Sequence, residues 1–291
     1  MKKPLVSILI SAYGQLAHTK RCLSSINNTI PEKITFEILI VDDCSEDETQ
    51  AFLKSLDSGI KTFFNQKRKG YAKNNNFLAS QANGEFLCFL NNDVFVEGNW
   101  LEPMMSAFQK YQEVGIVGNV QRLADSSKYD HMGVVFSPQG NPRHFGQWFS
   151  HRPFKGEIRK WNAVTAACCV VRRDYFQEIG GFDEIFINGC EDVDLCLRMN
   201  QNGKSCLVVH DSVVEHVKSA SEGRKQFNHE NFEVLNQRWG DLIRRNQAVS
   251  DQYLHAWTYL YRGLVRPWSV NLSKFIDSLF ILLRLKKLRA Y

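Results

Sequence analysis

Short apolar runs alternate with longer polar segments over the first 120 residues, and this alternation constrains the fold more than any other feature of the chain. The runs have the length and the β-branched content of buried parallel strands. They lie at 5–10, 36–41, 60–64, 86–90 and 114–117. The intervening segments place apolar residues at helical spacing, as Cys22, Leu23 and Ile26 do. The pattern predicts an α/β fold with a central, mostly parallel sheet and helices on both faces.

Acidic residues follow two of the predicted strands. Asp42 and Asp43 come after the second run, and Asp93 comes after the fourth. Ligands of open parallel sheets bind beyond the carboxyl ends of the strands, so these carboxylates are candidates for a site. A single Asp there typically caps the next helix, but several at one edge repel one another and need a cation or a polar ligand. Mn²⁺ or Mg²⁺ fits, because such ions bind one or two carboxylates together with substrate phosphates.

Composition excludes several classes of protein. With 44% hydrophobic residues and 7 prolines in 291 residues, the chain is neither fibrous nor disordered. Its eight cysteines are scattered without a Cys-x-x-Cys pair, which is typical of buried thiols in a reducing compartment. No apolar run is long enough to cross a bilayer, and the run after Lys2 and Lys3 is more typical of a buried strand than of a signal peptide. We therefore expect a cytoplasmic protein, and no motif indicates nucleic-acid binding.

Several segments resemble motifs of the family 2 glycosyltransferases, which have a Rossmann-like GT-A fold. They occur in the family's order, at 6–13, 37–47, 70–76, 90–94, 180–184 and 191–198. The Asn-Asn-Asp sequence at 91–93 and the Asp-Val-Asp-Leu sequence at 192–195 are most similar to the bacterial rhamnosyltransferase-like branch of the family. The resemblance implies an enzyme that uses a nucleotide-diphosphate sugar, with a UDP- or dTDP-linked donor.

The resemblance assigns donor-binding roles to residues after the predicted strands. Ser11 and Tyr13 would line the nucleotide pocket, and Asp43 would accept a hydrogen bond from the N3–H group of the base. Asn76 would help to close the pocket, and Asn92 would also contact the donor.

The resemblance also implies a metal site for Mn²⁺ or Mg²⁺. Asp93 stands where the family has the last Asp of its Asp-x-Asp motif, and would bind the metal on the diphosphate. Asn91 replaces the first Asp, so the site has one charge fewer and a lower expected metal affinity. His216 stands where many members have a metal-binding His, with His210 and His229 as rival candidates. A single His is otherwise more typical of a structural residue.

Glu191 and Asp192 stand where the family has its catalytic base, and Asp192 is our candidate. Inverting transfer needs a carboxylate opposite the leaving nucleotide, to take the proton from the attacking hydroxyl group. Asp194 would lie on another face of the same helix, because residues two apart diverge by about 200°. The alternative is that these acidic residues only stabilise a helix N-terminus.

The second half of the chain is less regular, and it ends in a basic tail. We predict long loops at 133–161, strands at 163–171 and 205–209, and a helix at 191–202. Cys168 and Cys169 are expected to be packing residues. The expected division is a nucleotide-sugar-binding half at 1–120, an acceptor-binding and catalytic half at 121–245, and an amphipathic helical tail at 246–291.

The tail contains most of the net charge. From position 262 onward there are seven Lys and Arg residues against one Asp, whereas the whole chain has a net charge of +5. Phe275, Ile276, Leu279, Phe280 and neighbouring leucines form an apolar face. Such a helix can bind an anionic membrane surface, which would place the enzyme peripherally on the inner face of the plasma membrane. The alternative is packing against its own domain or a second subunit, as in a homodimer.

The sequence therefore predicts a metal-dependent, inverting glycosyltransferase that acts on a glycan or a lipid-linked acceptor in the synthesis of bacterial surface polysaccharide. Two alternatives stay open. The first is a nucleotide-sugar-binding protein without catalytic activity, suggested by Asn91 and Asn92. The second is a sugar nucleotidyltransferase, which is disfavoured because a Gly-rich, basic phosphate loop is missing after the first predicted strand.

Overall fold

The computed structural model describes residues 4–27, 29–217 and 226–289, so Lys2 and Lys3 lie outside the described residues. The strands are β1 (Val6–Ala12), β2 (Phe36–Asp42), β3 (Ile60–Phe64), β4 (Phe86–Leu90), β5 (Val94–Val96), β6 (Val114–Leu123), β7 (Tyr129–His131), β8 (Val134–Phe136), β9 (Pro142–His144), β10 (Ile158–Trp161), β11 (Cys168–Arg172) and β12 (Ser205–His216).

The helices are α1 (Leu16–Asn27), α2 (Thr49–Lys54), α3 (Tyr71–Gln81), α4 (Leu101–Lys110), α5 (Arg173–Glu178), α6 (Glu191–Gln201), α7 (Asn228–Leu242), α8 (Ala248–Val265) and α9 (Leu272–Leu282). A π-helical segment, Ile243–Gln247, joins α7 to α8, and a 3₁₀ turn, Pro267–Ser269, lies between α8 and α9.

The central sheet has the strand order β10-β12-β6-β11-β4-β1-β2-β3. Strands β1, β2, β3 and β4 pair in parallel, and so do β6 and β12. Strand β11 lies antiparallel between β4 and β6, and β10 is antiparallel to β12. Six strands of this path run in one direction, which confirms the prediction of a mostly parallel α/β sheet. The carboxyl ends of β1, β2 and β4 therefore open onto one edge.

The predicted strands vary in how well their bounds match the structure. Strands β3 and β4 have the predicted ends, whereas β6 and β12 continue beyond the predicted apolar runs. The segment 133–161, predicted as loops, also contains β8, β9 and β10. Gly133 permits this arrangement, because a Cβ atom there would lie 2.1 Å from the Trp161 ring.

Apolar side chains cover both faces of the sheet. One layer includes Ile8, Ile10 and Trp100 with residues of α1 and α4, and the other includes Leu9, Phe89 and residues of α3 and α6. Burial of each large apolar side chain contributes about 1.5–3 kcal/mol, so these two layers fix the helices against the sheet. Cys168 and Cys169 are buried as free thiols in these layers, as predicted.

The C-terminal helices are docked on one side of the body. Leu254, Trp257 and Tyr261 of α8 pack against the second apolar layer, and α9 packs against α8. Asp251 of α8 accepts hydrogen bonds from Phe136 N (2.9 Å) and Asn162 Nδ2 (2.8 Å). Burial raises the pKa of Asp251 to about 6. In the described part of the chain, none of the helices combines the length and the apolar character needed to cross a membrane.

Candidate active site

A cleft of about 430 Å³ opens at the carboxyl ends of the central strands. One part of its lining is the strand-end wall, formed by Ser11, Tyr13, Asp43, Asn92 and Asp93. A second part is the outer wall, formed by Arg143, Asn228, Phe232 and Arg262. Glu191 and Asp192, at the start of α6, line the cleft as well. The structure thus brings together seven of the nine site residues predicted from the sequence.

A chain of hydrogen bonds organises the strand-end wall. Asn74 Nδ2 donates to Ser11 Oγ (2.9 Å), and Asn65 Nδ2 donates to both Asn74 Oδ1 (2.7 Å) and Asp43 Oδ1 (2.9 Å). The backbone N–H groups of Lys69 and Gly70 also donate to Asp43, at 2.8 and 3.0 Å. These donors compensate for the burial of a carboxylate and fix its orientation. Asp43 therefore presents its carboxylate to the cleft in a defined position.

An arginine that the sequence analysis did not select extends this wall. The Arg68 guanidinium carbon lies 3.6 Å from the centroid of the Tyr13 ring, a cation–π contact. Both side chains line the cleft. Asn92 is anchored differently, because its Nδ2 donates to Thr19 Oγ1 (3.0 Å) on α1.

Asp93 and His216 meet beside the cleft. Asp93 Oδ1 lies 3.4 Å from His216 Nε2, and both atoms are buried without a hydrogen-bond partner. Strand pairing brings them together, since Val94 of β5 is in register with His216 of β12. The Nδ1 atom of His216 is hydrogen-bonded to Gln121 Oε1 (3.0 Å), so Nε2 is the ring nitrogen that faces Asp93. A buried carboxylate oxygen and an imidazole nitrogen, both without hydrogen-bond partners, fit a divalent cation.

The protein would supply only part of the coordination sphere. Among the residues that the structure describes, no group of three or more His, Cys, Asp or Glu side chains converges as a metal site. Two protein ligands suit Mg²⁺ or Mn²⁺, which take their other ligands from substrate phosphates and water.

The two rival histidines lie elsewhere. His210 is buried against Phe154 and Trp161, and its burial, with Arg159 and Arg152 nearby, lowers its pKa to about 4. The side chain of His229 is 81% exposed on α7, 3.6 Å from Glu233. The geometry therefore favours His216 as the partner of Asp93.

The acidic residues at the start of α6 point in different directions. Asp192 Oδ2 accepts a hydrogen bond from Ala166 N (3.1 Å), and its Oδ1 accepts one from Val193 N (2.8 Å). Asp194 is fully buried and accepts hydrogen bonds from Arg198, Arg238 and Trp239, each at 2.8 Å. Asp194 therefore joins α6 to α7, whereas Asp192 faces the cleft. Glu191 Oε2 accepts a hydrogen bond from Gly189 N (2.6 Å) beside it.

Asn76 is the predicted site residue with the least direct relation to the cleft. Its Oδ1 accepts a hydrogen bond from Phe182 N (2.9 Å) and its Nδ2 donates to Phe182 O (2.8 Å). Asn76 does not belong to the cleft lining among the described residues. Its contacts attach α3 to the segment before α6.

Further cleft residues that the sequence analysis missed lie on and beside the outer wall. Arg143, His144 and Gln147 come from β9 and the loop after it, Asn228 and Phe232 from α7, and Arg262 from α8. No local motif marks these positions, because three segments far apart in the chain meet only in the folded protein.

Comparison with known proteins identifies relatives. A sequence profile of the family described as Glycosyl transferase family 2 matches residues 7–180. The chain is 35% identical over 198 residues to the O-antigen biosynthesis protein RfbC of Myxococcus xanthus, covering 64% of this chain and 15% of that protein. It is 24% identical to the glycosyltransferase AglE of Haloferax volcanii, covering 73% of this chain and 67% of that protein. The chain spans only a small part of RfbC.

Solved structures share the fold. GalNAc-T7, crystallised with UDP, GalNAc and Mn²⁺, superposes with a TM-score of 0.66 at 19% identity, covering 88% of this chain and 52% of that chain. The mannosyltransferase PcManGT from Pyrobaculum calidifontis, in complex with GDP-Man and Mn²⁺, has a TM-score of 0.60 at 16% identity. That match covers 99% of this chain and 82% of the other.

Proposed function

The chain belongs to glycosyltransferase family 2 and has the GT-A fold, and on this premise we propose that it transfers a sugar from a nucleoside-diphosphate sugar to an acceptor hydroxyl group with inversion. One observation carries the proposal: the partnerless pair formed by Asp93 Oδ1 and His216 Nε2, 3.4 Å apart, adjoins a cleft that Asp192 also lines. A cation-binding pair and a candidate base in one cleft are the groups that such a transfer requires.

Asp93 and His216 would hold a divalent ion, Mn²⁺ or Mg²⁺. When bound, that ion supplies Lewis-acid stabilisation of the negative charge on the departing diphosphate. Structures of similar fold were solved with Mn²⁺, which supports a divalent metal. Gln121 would orient His216 through the hydrogen bond at Nδ1.

The strand-end wall would bind the nucleotide. Asp43 has a fixed carboxylate that can accept a hydrogen bond from the N3–H group of uracil or thymine, so a UDP- or dTDP-linked donor is proposed. Ser11, Tyr13 and Asn92 line the same wall. Asn76 would act from outside the cleft, through its hydrogen bonds to Phe182.

Asp192 would act as the general base, with Glu191 beside it. The N–H groups of Ala166 and Val193 orient its carboxylate. An ionised carboxylate can take the proton from the attacking hydroxyl group as the new glycosidic bond forms. Residues 1–120 would then form the donor half, residues 121–245 the acceptor half and residues 246–291 a tail.

The acceptor is proposed to be a glycan or a lipid-linked sugar in surface polysaccharide synthesis. Similarity to an O-antigen biosynthesis protein supports this role. The tail supports a cytoplasmic enzyme that binds peripherally to the inner face of the plasma membrane. Leu283 and Leu285 are 58% and 73% exposed, close in the chain to Lys287 and Arg289. Apolar side chains next to cations fit an anionic lipid surface better than a second subunit, because a subunit interface would favour fewer lysines.

The test is a donor hydrolysis and transfer assay with a panel of UDP- and dTDP-sugars, with and without Mn²⁺. We expect nucleotide release that needs a divalent ion and is abolished by a chelator. Asn91, which lines the cleft where the family has an Asp, suggests the alternative of a binding protein without activity. Donor binding without nucleotide release would support that alternative and contradict the proposal.

A further inference from the structure

Two arginines on the outer wall have charges that nothing in the described protein compensates. Arg143 lies on β9 and Arg262 on α8, and both line the cleft. In the ranges 4–27, 29–217 and 226–289, neither forms an ion pair with a carboxylate. Arg262 Nε donates to Ser269 Oγ (3.0 Å), which fixes the side chain without neutralising it. We refer to Arg143 and Arg262 as the arginine pair.

The two charges act on each other. Burial and the positive charge of Arg262 lower the pKa of Arg143. Arginine nevertheless stays protonated at neutral pH, because its ordinary pKa lies far above neutrality. The positive charge of Arg143 also contributes to lowering the pKa of nearby His255 to about 4, after the larger effect of burial. The two guanidinium groups therefore create a local positive potential at the cleft, which an anionic ligand would neutralise.

Two other arginines of the protein have their positive charges neutralised by nearby carboxylates. Arg238 lies 2.8 Å from both Asp183 and Asp194, and Arg122 lies 2.6 Å from Glu215. Each of these guanidinium groups has a carboxylate within hydrogen-bonding distance. The arginine pair differs from them because it faces open cleft, where an incoming ligand can supply the anion.

The arginine pair does not come from the elements that carry the proposed donor residues. The pair comes from β9 and α8, whereas the residues proposed to hold the donor follow β1, β2 and β4.

We propose that Arg143 and Arg262 form an anion subsite that recognises a phosphate or carboxylate group of the acceptor. This inference rests on the proposed function, since it presumes that the strand-end wall binds the donor. Guanidinium groups bind both kinds of anion through paired N–H donors.

The test is calorimetric titration of the full-length protein, saturated with UDP and Mn²⁺, with three probes: octyl phosphate, octyl glucuronide and octyl glucoside. The probes share a chain and differ in charge, and the first two separate phosphate from carboxylate recognition. The variants are R143Q/R262Q and, as a matched control, K67Q/K155Q, which removes two exposed cations that do not line the cleft. R143K/R262K tests whether charge alone is sufficient.

We expect the wild type and K67Q/K155Q to bind at least one anionic probe about tenfold more tightly than octyl glucoside. R143Q/R262Q should lose this preference, bind UDP and Mn²⁺ normally, and unfold at the same temperature or a higher one, because a repulsion is removed. R143K/R262K should regain part of the preference.

Equal binding of all three probes to the wild type would overturn the inference. So would an anion preference that persists in R143Q/R262Q, or weaker UDP binding in that variant, since the arginines would then serve the donor. Failure of the wild type to bind any nucleotide would instead contradict the proposed function, and the probe titrations in Mn²⁺ alone would still measure the anion preference.

Discussion

The two walls of the cleft are built in opposite ways. Ser11 and Asp43 on the strand-end wall are tied to each other through Asn65 and Asn74, so hydrogen bonds within the protein fix them before any ligand binds. The arginine pair on the outer wall lacks a carboxylate partner among the described residues and has its charges exposed to the cleft. A wall satisfied by its own hydrogen bonds offers a rigid shape, whereas an uncompensated wall selects ligands by charge.

The two walls also differ in how their residues are brought together. The strand-end wall uses residues directly after adjacent strands, and the parallel sheet brings them together at one edge. The outer wall depends on how β9, α7 and α8 dock against the body. We therefore expect substitutions on the first wall to affect the donor and the chemical step, and substitutions on the second wall to affect only the choice of acceptor.

The largest effect is expected for Asp192→Asn. Asparagine can still accept the hydrogen bond from Ala166 N but cannot take a proton, so the rate of transfer should fall about 10³-fold while donor binding is unchanged. Single-turnover transfer and calorimetry of donor binding measure the two quantities. Asp57→Asn, an equivalent change at an exposed position, is the control. Near-normal turnover of Asp192→Asn would exclude this residue as the base.

The second largest effect is expected for His216→Gln. This variant tests whether Asp93 and His216, which the pairing of β5 with β12 brings together, form one metal site. Loss of the imidazole should raise the Mn²⁺ concentration for half-maximal donor hydrolysis about 100-fold. The control is His229→Gln, because His229 lies exposed on α7. An unchanged Mn²⁺ requirement in His216→Gln would assign the metal to other residues.

A smaller effect is expected for Asp43→Asn. Loss of a charged hydrogen-bond acceptor costs about 1.5–3 kcal/mol, which corresponds to a donor KM about 10- to 100-fold higher. Steady-state kinetics should show little change in kcat. Glu46→Gln, three residues later and exposed, is the control. If acceptor KM rises instead, the assignment of the two walls is wrong.

The smallest effect is expected in the tail, away from both walls. Replacing Lys287 and Arg289 with Gln removes two exposed cations, each contributing about 1 kcal/mol at an anionic bilayer, so vesicle binding should weaken about 30-fold. Donor hydrolysis should not change. Sedimentation with anionic and with neutral vesicles measures the effect. Equal binding of the variant and the wild type to anionic vesicles would return the tail to the role of a packing element.

The walls also differ in how far the sequence predicts them. Strands β3 and β4 are short and uninterrupted, so their apolar runs predicted both ends. Strands β6 and β12 extend further than predicted because they carry buried polar residues, such as Asn119, Gln121 and His210, which interrupt the apolar pattern. Gln121 interrupts the apolar pattern of β6, and its side chain is hydrogen-bonded to His216 at the candidate metal site. The residue that hid the end of the strand from the sequence analysis is thus one that the site requires.

His216 shows that a family motif can identify a site residue even where the strand that carries it is not predicted. Its register with Val94 follows from a long strand whose second half was not predicted, and the resemblance to a known family identified the residue instead. Nothing comparable marked Arg143 or Arg262. A charge without a partner becomes visible only when the surrounding side chains are known.

The pairing of β5 with β12 has a consequence for how the protein acquires activity as it folds. Asp93 and His216 are far apart in the chain and meet only when Val217 N bonds to Asp93 O (2.9 Å) and the strands are in register. Such non-local pairings form slowly, and a slip by one residue would turn His216 to the other face of the sheet. A chain synthesised only as far as α6 would contain the nucleotide wall and Asp192 but not the metal pair. Metal affinity is therefore gained after the nucleotide wall during synthesis, and it reports whether β5 and β12 are paired in register.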